Sequence, residues 1–153
     1  EDKVVVTNGE YPSVEGEFID VETTEIQKGY EPPIHDFTIE RQGEDFTLSQ
    51  LQEPKLVMVV AYDLAKSDLE AFEGVRIVAE KAKAKGYKVI GMSASGEEKG
   101  DAVRNEYHLG FDFYFTDETT LKTIVRSNPA VLVLEKGTIK QKVHHNDMDQ
   151  LKF

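Results

Sequence analysis

The sequence predicts an α/β fold, a mixed sheet with helices on both faces, and three observations carry that expectation. Leu56 to Ala61 (LVMVVA) is an unbroken apolar run rich in β-branched residues, as suits a strand buried on both faces. Leu69, Phe72, Val75, Val78, Ala79 and Ala82 recur at helical spacing directly after it. Strand-like and helix-like segments then alternate nearly to the last residue, which implies crossover connections and layered packing.

The elements follow in order. Residues 1–35 are poor in apolar side chains and rich in turn formers. Val4-Val5-Val6 is a short strand candidate and Asn8-Gly9 a turn, while Pro32-Pro33 forces an extended path. This stretch is expected to be an irregular arm or linker, with the folded domain spanning 36–153. Phe46-Thr47-Leu48 alternates like a short strand, and Ser49-Gln50-Leu51 reads as a turn. After the LVMVVA strand, Ser67-Asp68-Leu69-Glu70 has the form of a capping box, in which Ser67 caps the helix and Glu70 reaches back. Lys81, Lys83 and Lys85 suit the negative end of that helix, and Gly86 its left-handed terminator.

Tyr87 to Met92 is the next strand and Ser93 to Gly100 a polar loop. Asp101 to His108 is a short helix, and Phe111 to Phe115 an aromatic strand. Asp117 caps a helix running to about Val125, with Leu121, Ile124 and Val125 inward. Arg126 to Pro129 is a loop. Val131 to Leu134 and Thr138 to Val143 form a hairpin around Glu135-Lys136-Gly137, and Asn146 caps a brief last helix.

Composition narrows function. The 153 residues carry 18 Lys+Arg against 29 Asp+Glu, a formal net charge of −11. A surface of that sign opposes nucleic acid and anionic lipid. No apolar run approaches the roughly 20 residues of a membrane span. There is no cysteine, which excludes disulfides, thiolate metal sites and thiol nucleophiles.

The ordered set Asp36-Phe37-Thr38-Ile39, Phe46 to Leu51, LVMVVA, VIGMSA, Tyr107-His108-Leu109, Asp117 and Ser127-Asn128-Pro129 before VLVL resembles the thioredoxin-like fold, in its peroxiredoxin and thiol-reductase branch. The resemblance covers residues 36 to about 150. It implies that Pro129 is the cis proline that precedes the fourth family strand. It also implies where redox chemistry should sit. Leu64 falls at the first cysteine, Ser67 at the second, and Met58 at the buried carboxylate. Nucleophile, resolving thiol and proton acceptor are therefore all missing, and a serine hydroxyl without an activating base does not replace them.

The arm before Asp36-Phe37, Arg126 to Pro129, and His144-His145 also resemble the soluble C-terminal domain of DoxX-type membrane proteins of Bacteroidetes. That likeness implies a soluble domain attached to a membrane, with Glu1 lying beyond a preceding membrane helix.

On the resemblance, Tyr62, Asp63, Lys66, Arg126, Asn128 and Pro129 should gather around the former redox site. The functional reading is a polar recognition groove that holds an extended peptide. The plain reading is a solvated loop with an incidental ion pair. Ser67 is better read as a simple helix cap than as a remnant of an active site, because Glu70 completes the capping box. His144-His145-x-Asp147 invites a metal reading, but neighbouring residues of a strand point to opposite faces. Ser93 to Gly96 lacks either phosphate-loop glycine pattern, and Glu97-Glu98 would repel phosphate.

The expectation is therefore a redox-inactive thioredoxin-like accessory or binding domain without metal or cofactor. Its partner is a protein, a peptide or its own membrane-integral region. The alternatives are an enzyme using non-thiol chemistry through Asp63, Lys66 and Arg126, or a purely structural extension of a membrane assembly.

Overall fold

A computed structural model describes residues 37–153. The expectations placed on the arm, Val4 to Val6, Asn8-Gly9 and Pro32-Pro33, lie outside the described residues. Those described form β1 (Glu40–Arg41), β2 (Glu44–Asp45), α1 (Thr47–Leu51), β3 (Leu56–Val60), α2 (Ala71–Ala84), β4 (Lys88–Ser93), α3 (Glu97–Tyr107), β5 (Phe113–Phe115), α4 (Glu118–Ile124), β6 (Ala130–Glu135) and β7 (Thr138–His144). Two 3-10 turns, Leu64–Lys66 and His145–Gln150, complete the set.

The strands build one mixed sheet in the order β2-β1-β5-β4-β3-β6-β7. β3, β4 and β5 run parallel, while β6 lies antiparallel to β3 and β7 antiparallel to β6. Every residue of β3 is buried, because helices cover both faces and leave no side of this central strand in water. Alternation then divides the core in two. Val57, Val59, Val89, Phe113, Val131 and Val133 face Phe72, Val75 and Ala79 of α2, with Val103 and Tyr107 of α3 at the margin. Leu56, Met58, Val60, Ile90, Met92 and Leu132 face Leu121 and Val125 at α4.

The helix ends follow from named groups. α2 closes on Gly86 at φ +82°, with Gly86 N–H donating to Lys83 and Tyr87 N–H to Ala82. Asp117 caps α4 by accepting from Thr120 N–H at 2.9 Å.

Four expectations need correction. Phe46-Thr47-Leu48 is not a strand. Asp45 accepts from Thr47 N–H at 2.8 Å and Phe46 C=O from Gln50 N–H at 2.9 Å, so the chain turns into α1 behind the β1–β2 hairpin. The capping box at Ser67 does not form. Ser67 is engaged elsewhere, Asp68 accepts from Glu70 N–H at 3.1 Å, and α2 begins only at Ala71 with no side-chain cap. α3 starts at Glu97 rather than Asp101, because Glu97 and Glu98 favour the positive end of a helix. Asn146 does not cap the last turn. Its N–H donates to the His144 ring at 3.1 Å, so His144 is the cap.

Candidate functional site

The end of β3 delivers the chain into the segment where the resemblance placed the redox residues. Tyr62 is held in line by its carbonyl, which accepts from Ala94 N–H at 3.2 Å. Leu64 N–H donates to Ser95 Oγ at 2.8 Å. The β4–α3 loop therefore fixes the position of this segment.

The three positions that the resemblance gives to the redox groups are all built into the fold. Met58 lies inside β3 on the α4 side of the sheet, packed in the core. Leu64 is 4% exposed and packs with Val57, Val59, Ala61 and Phe72. A catalytic cysteine must meet its substrate in solvent, whereas the Leu64 side chain turns inward. Ser67 Oγ lies 2.9 Å from Asp63 C=O and 2.9 Å from Asn128 Oδ1, so its single proton serves one of them at a time.

Asn128 closes the arrangement from the other side. The Asn128–Pro129 peptide is cis. Asn128 Nδ2 donates to Asp63 C=O at 2.7 Å, and its main-chain carbonyl accepts from Asp68 N–H at 3.0 Å. Ser127 Oγ donates to Pro129 C=O at 2.7 Å. The Asp63–Asp68 loop is thus fastened to the Ser127–Pro129 loop at both ends. The Asn128 carbonyl, beside the cis peptide, thus accepts one hydrogen bond from within the chain.

Of the six groove residues, Tyr62, Asp63, Lys66, Asn128 and Pro129 come together. Arg126 is exposed and makes no ion pair or side-chain hydrogen bond among the described residues. Asp63 Oδ2 and Lys66 Nζ stand 3.0 Å apart. The hydrogen bond from Lys66 holds the Asp63 carboxyl below its usual range, and the same bond from Asp63 raises the Lys66 ammonium. Both stay charged near neutrality, which is the opposite of a group poised to exchange a proton. Lys122 sits over the Tyr62 ring at 5.4 Å from its centroid and pairs with Glu118 at 2.5 Å.

His145 is a member that sequence reasoning missed in this role. Its Nε2 is 3.3 Å from Asp68 Oδ2, and its Nδ1 is 3.2 Å from Pro129 C=O. The ring spans the two fastened loops. No spacing signals this, since the three residues come from distant parts of the chain. Among the described residues no group of three His, Asp or Glu could hold a metal ion. A shallow cleft lies elsewhere, between α2 and α3, lined by Glu73, Arg76, Glu80, Glu106, Tyr107 and His108.

Solved structures share this architecture. The chain is similar to the thioredoxin domain of a thiol-disulfide oxidoreductase from Bacteroides vulgatus, with TM-score 0.56 and 14% identity over 75% of this chain and 88% of that one. It is similar to a thiol:disulfide interchange protein from a Bacteroides species, with TM-score 0.55 and 14% identity over 74% and 81%. A thioredoxin-like protein from Aeropyrum pernix matches with TM-score 0.55 and 10% identity over 75% and 86%. No family model and no curated protein matches the sequence. At these identities the likeness establishes the fold, which is thioredoxin-like, and the chain carries it without cysteine.

Proposed function

We propose that this chain is a redox-inactive thioredoxin-like domain that serves as an accessory or binding module of a membrane-attached protein. The observation that carries the reading is the state of the former redox site. Leu64 is packed into the core, and Ser67, Asp68 and Asn128 hold the site's loops to each other. A scaffold shared with thiol oxidoreductases thus has its reactive positions filled by packing and hydrogen bonds. The membrane setting rests on the resemblance to DoxX-type proteins, and no described helix is long and apolar enough to cross a membrane.

The non-thiol enzyme reading gains no support from the site. Asp63 and Lys66 neutralise each other, and Arg126 stands apart from them. Two measurements test the proposal. The purified chain should consume no hydrogen peroxide in the presence of dithiothreitol beyond the reagent's own rate. The natural full-length gene product, tagged and expressed in its host, should sediment with membranes and resist extraction by high salt. Peroxide turnover would refute the inactive reading, and recovery in the salt wash would refute the membrane reading.

A further inference from the structure

The outer edge of the sheet carries lysines on a strand paired on one side among the described residues. Among the described strands β7 is the longest at seven residues, and it stands last in the strand order. No described strand pairs with its outer side, so its outward N–H and C=O groups form a template for a further strand. From Lys136 to His145 the sequence holds three lysines and no carboxylate, in a chain of net charge −11. Ile139 is half exposed on the same strand, and Lys140 and Lys142 are exposed.

Lys140 has only a long pair with Glu135, at 3.8 Å between two half-exposed groups. Such a contact exchanges readily for a better-placed carboxylate. Lys142 Nζ donates to Ile124 C=O at 3.0 Å, at the C-terminal end of α4, a single exposed hydrogen bond that leaves its other protons free. Lysines on an edge strand also oppose self-pairing. Lys140 is the extra residue of a β-bulge opposite Val133 and Leu134, which leaves Gln141 to His144 as the regular stretch of the edge. The lysines and the bulge disfavour pairing with a second copy, and the charge suits a strand of opposite sign.

We propose that β7 is a docking edge for an extended acidic peptide of a partner protein, which adds to the sheet as a further strand. Main-chain hydrogen bonds would set its register, and Lys140 and Lys142 would select its charge. This rests on the reading of the chain as a binding module and names the surface and the partner's chemistry.

The test uses the full chain and a fluorescein-labelled peptide of alternating valine and glutamate, about as long as β7, with a valine–lysine peptide as control. Fluorescence anisotropy should show saturable binding of the acidic peptide below about 1 mM. Raising ionic strength from about 0.05 M to about 0.5 M should weaken it several-fold. Amide shifts in the 15N–1H spectrum of the wild-type chain should concentrate in Thr138 to His144. The Lys140→Glu/Lys142→Glu variant, with folding checked by the same spectrum, should bind at least tenfold more weakly. Absence of saturable binding, equal binding of the lysine peptide, or shifts centred elsewhere would each overturn the proposal. So would dimerisation through β7 in place of peptide binding. None of these outcomes touches redox inactivity, and thiol turnover would leave the peptide result standing.

Discussion

Replacing Leu64 by alanine tests directly whether the segment after β3 is packed into the core. The side chain is 4% exposed and packs against Val57, Val59, Ala61 and Phe72. Truncation removes three carbon atoms, worth about 2.4 kcal/mol at ~0.8 kcal/mol per buried carbon group. The vacated space adds a cavity cost, because β3 and α2 are fixed by the sheet and cannot fully close over it. A total of about 3 kcal/mol lies well inside the 2–5 kcal/mol typical of Leu→Ala in cores. That is a large share of the ~5–15 kcal/mol available to a domain. Urea unfolding followed by far-ultraviolet circular dichroism reads it as a lower midpoint at unchanged slope. Ser67→Ala is the control. It loses one neutral hydrogen bond and should cost about 1 kcal/mol. If Leu64→Ala costs less than Ser67→Ala, the Leu64 side chain faces solvent and the account of a filled site is wrong.

Three further outcomes are expected. Asn128→Ala removes the bond to Asp63 C=O and the contact with Ser67. It should cost about 2 kcal/mol and speed exchange of the Asp68 amide, whereas unchanged exchange would mean the two loops are held by other contacts. Gly100→Ala should destabilise by about 1–3 kcal/mol despite alanine's higher helix propensity, because a Cβ there would stand 2.7 Å from Phe113 Cβ; a stabilised variant in urea would contradict the packing of α3 on β5. For Asp63, whose folded carboxyl titrates below the usual range, the pair with Lys66 contributes above about pH 3.9 and is lost as pH falls through the folded value. In Lys66→Met the Asp63 side-chain carbonyl resonance should titrate at higher pH than in the wild type, and an unmoved midpoint would show that the pair does not form in solution.

The layers of the fold could be read from the sequence because they rest on local pattern. LVMVVA has no polar face to leave in water, and Gly86 and Asp117 terminate and start helices by local chemistry that no distant partner displaces here. What escaped the sequence was decided by competition between partners. Ser67 and Glu70 fit a capping box as a local motif, yet Asn128, 61 residues away from Ser67, offers Ser67 another partner. Phe46 to Leu48 alternates like a strand, but one Asp45 carboxylate turns the backbone into a helix. At the site, the resemblance assigned Leu64, Ser67 and Met58 to the redox positions, and the structure places Leu64 and Met58 in the core and Ser67 against Asn128. The pairing of Asp68 with Asn128 and the bridge through His145 had no local signal, because they depend on distant segments meeting in space.

The central claim, a thioredoxin-like scaffold without thiol chemistry, is tested most directly by insulin reduction. With dithiothreitol as the electron source, precipitation of the insulin B chain should begin no earlier with the purified chain than with buffer, at every protein concentration. A lag that shortens in proportion to added protein would contradict the account.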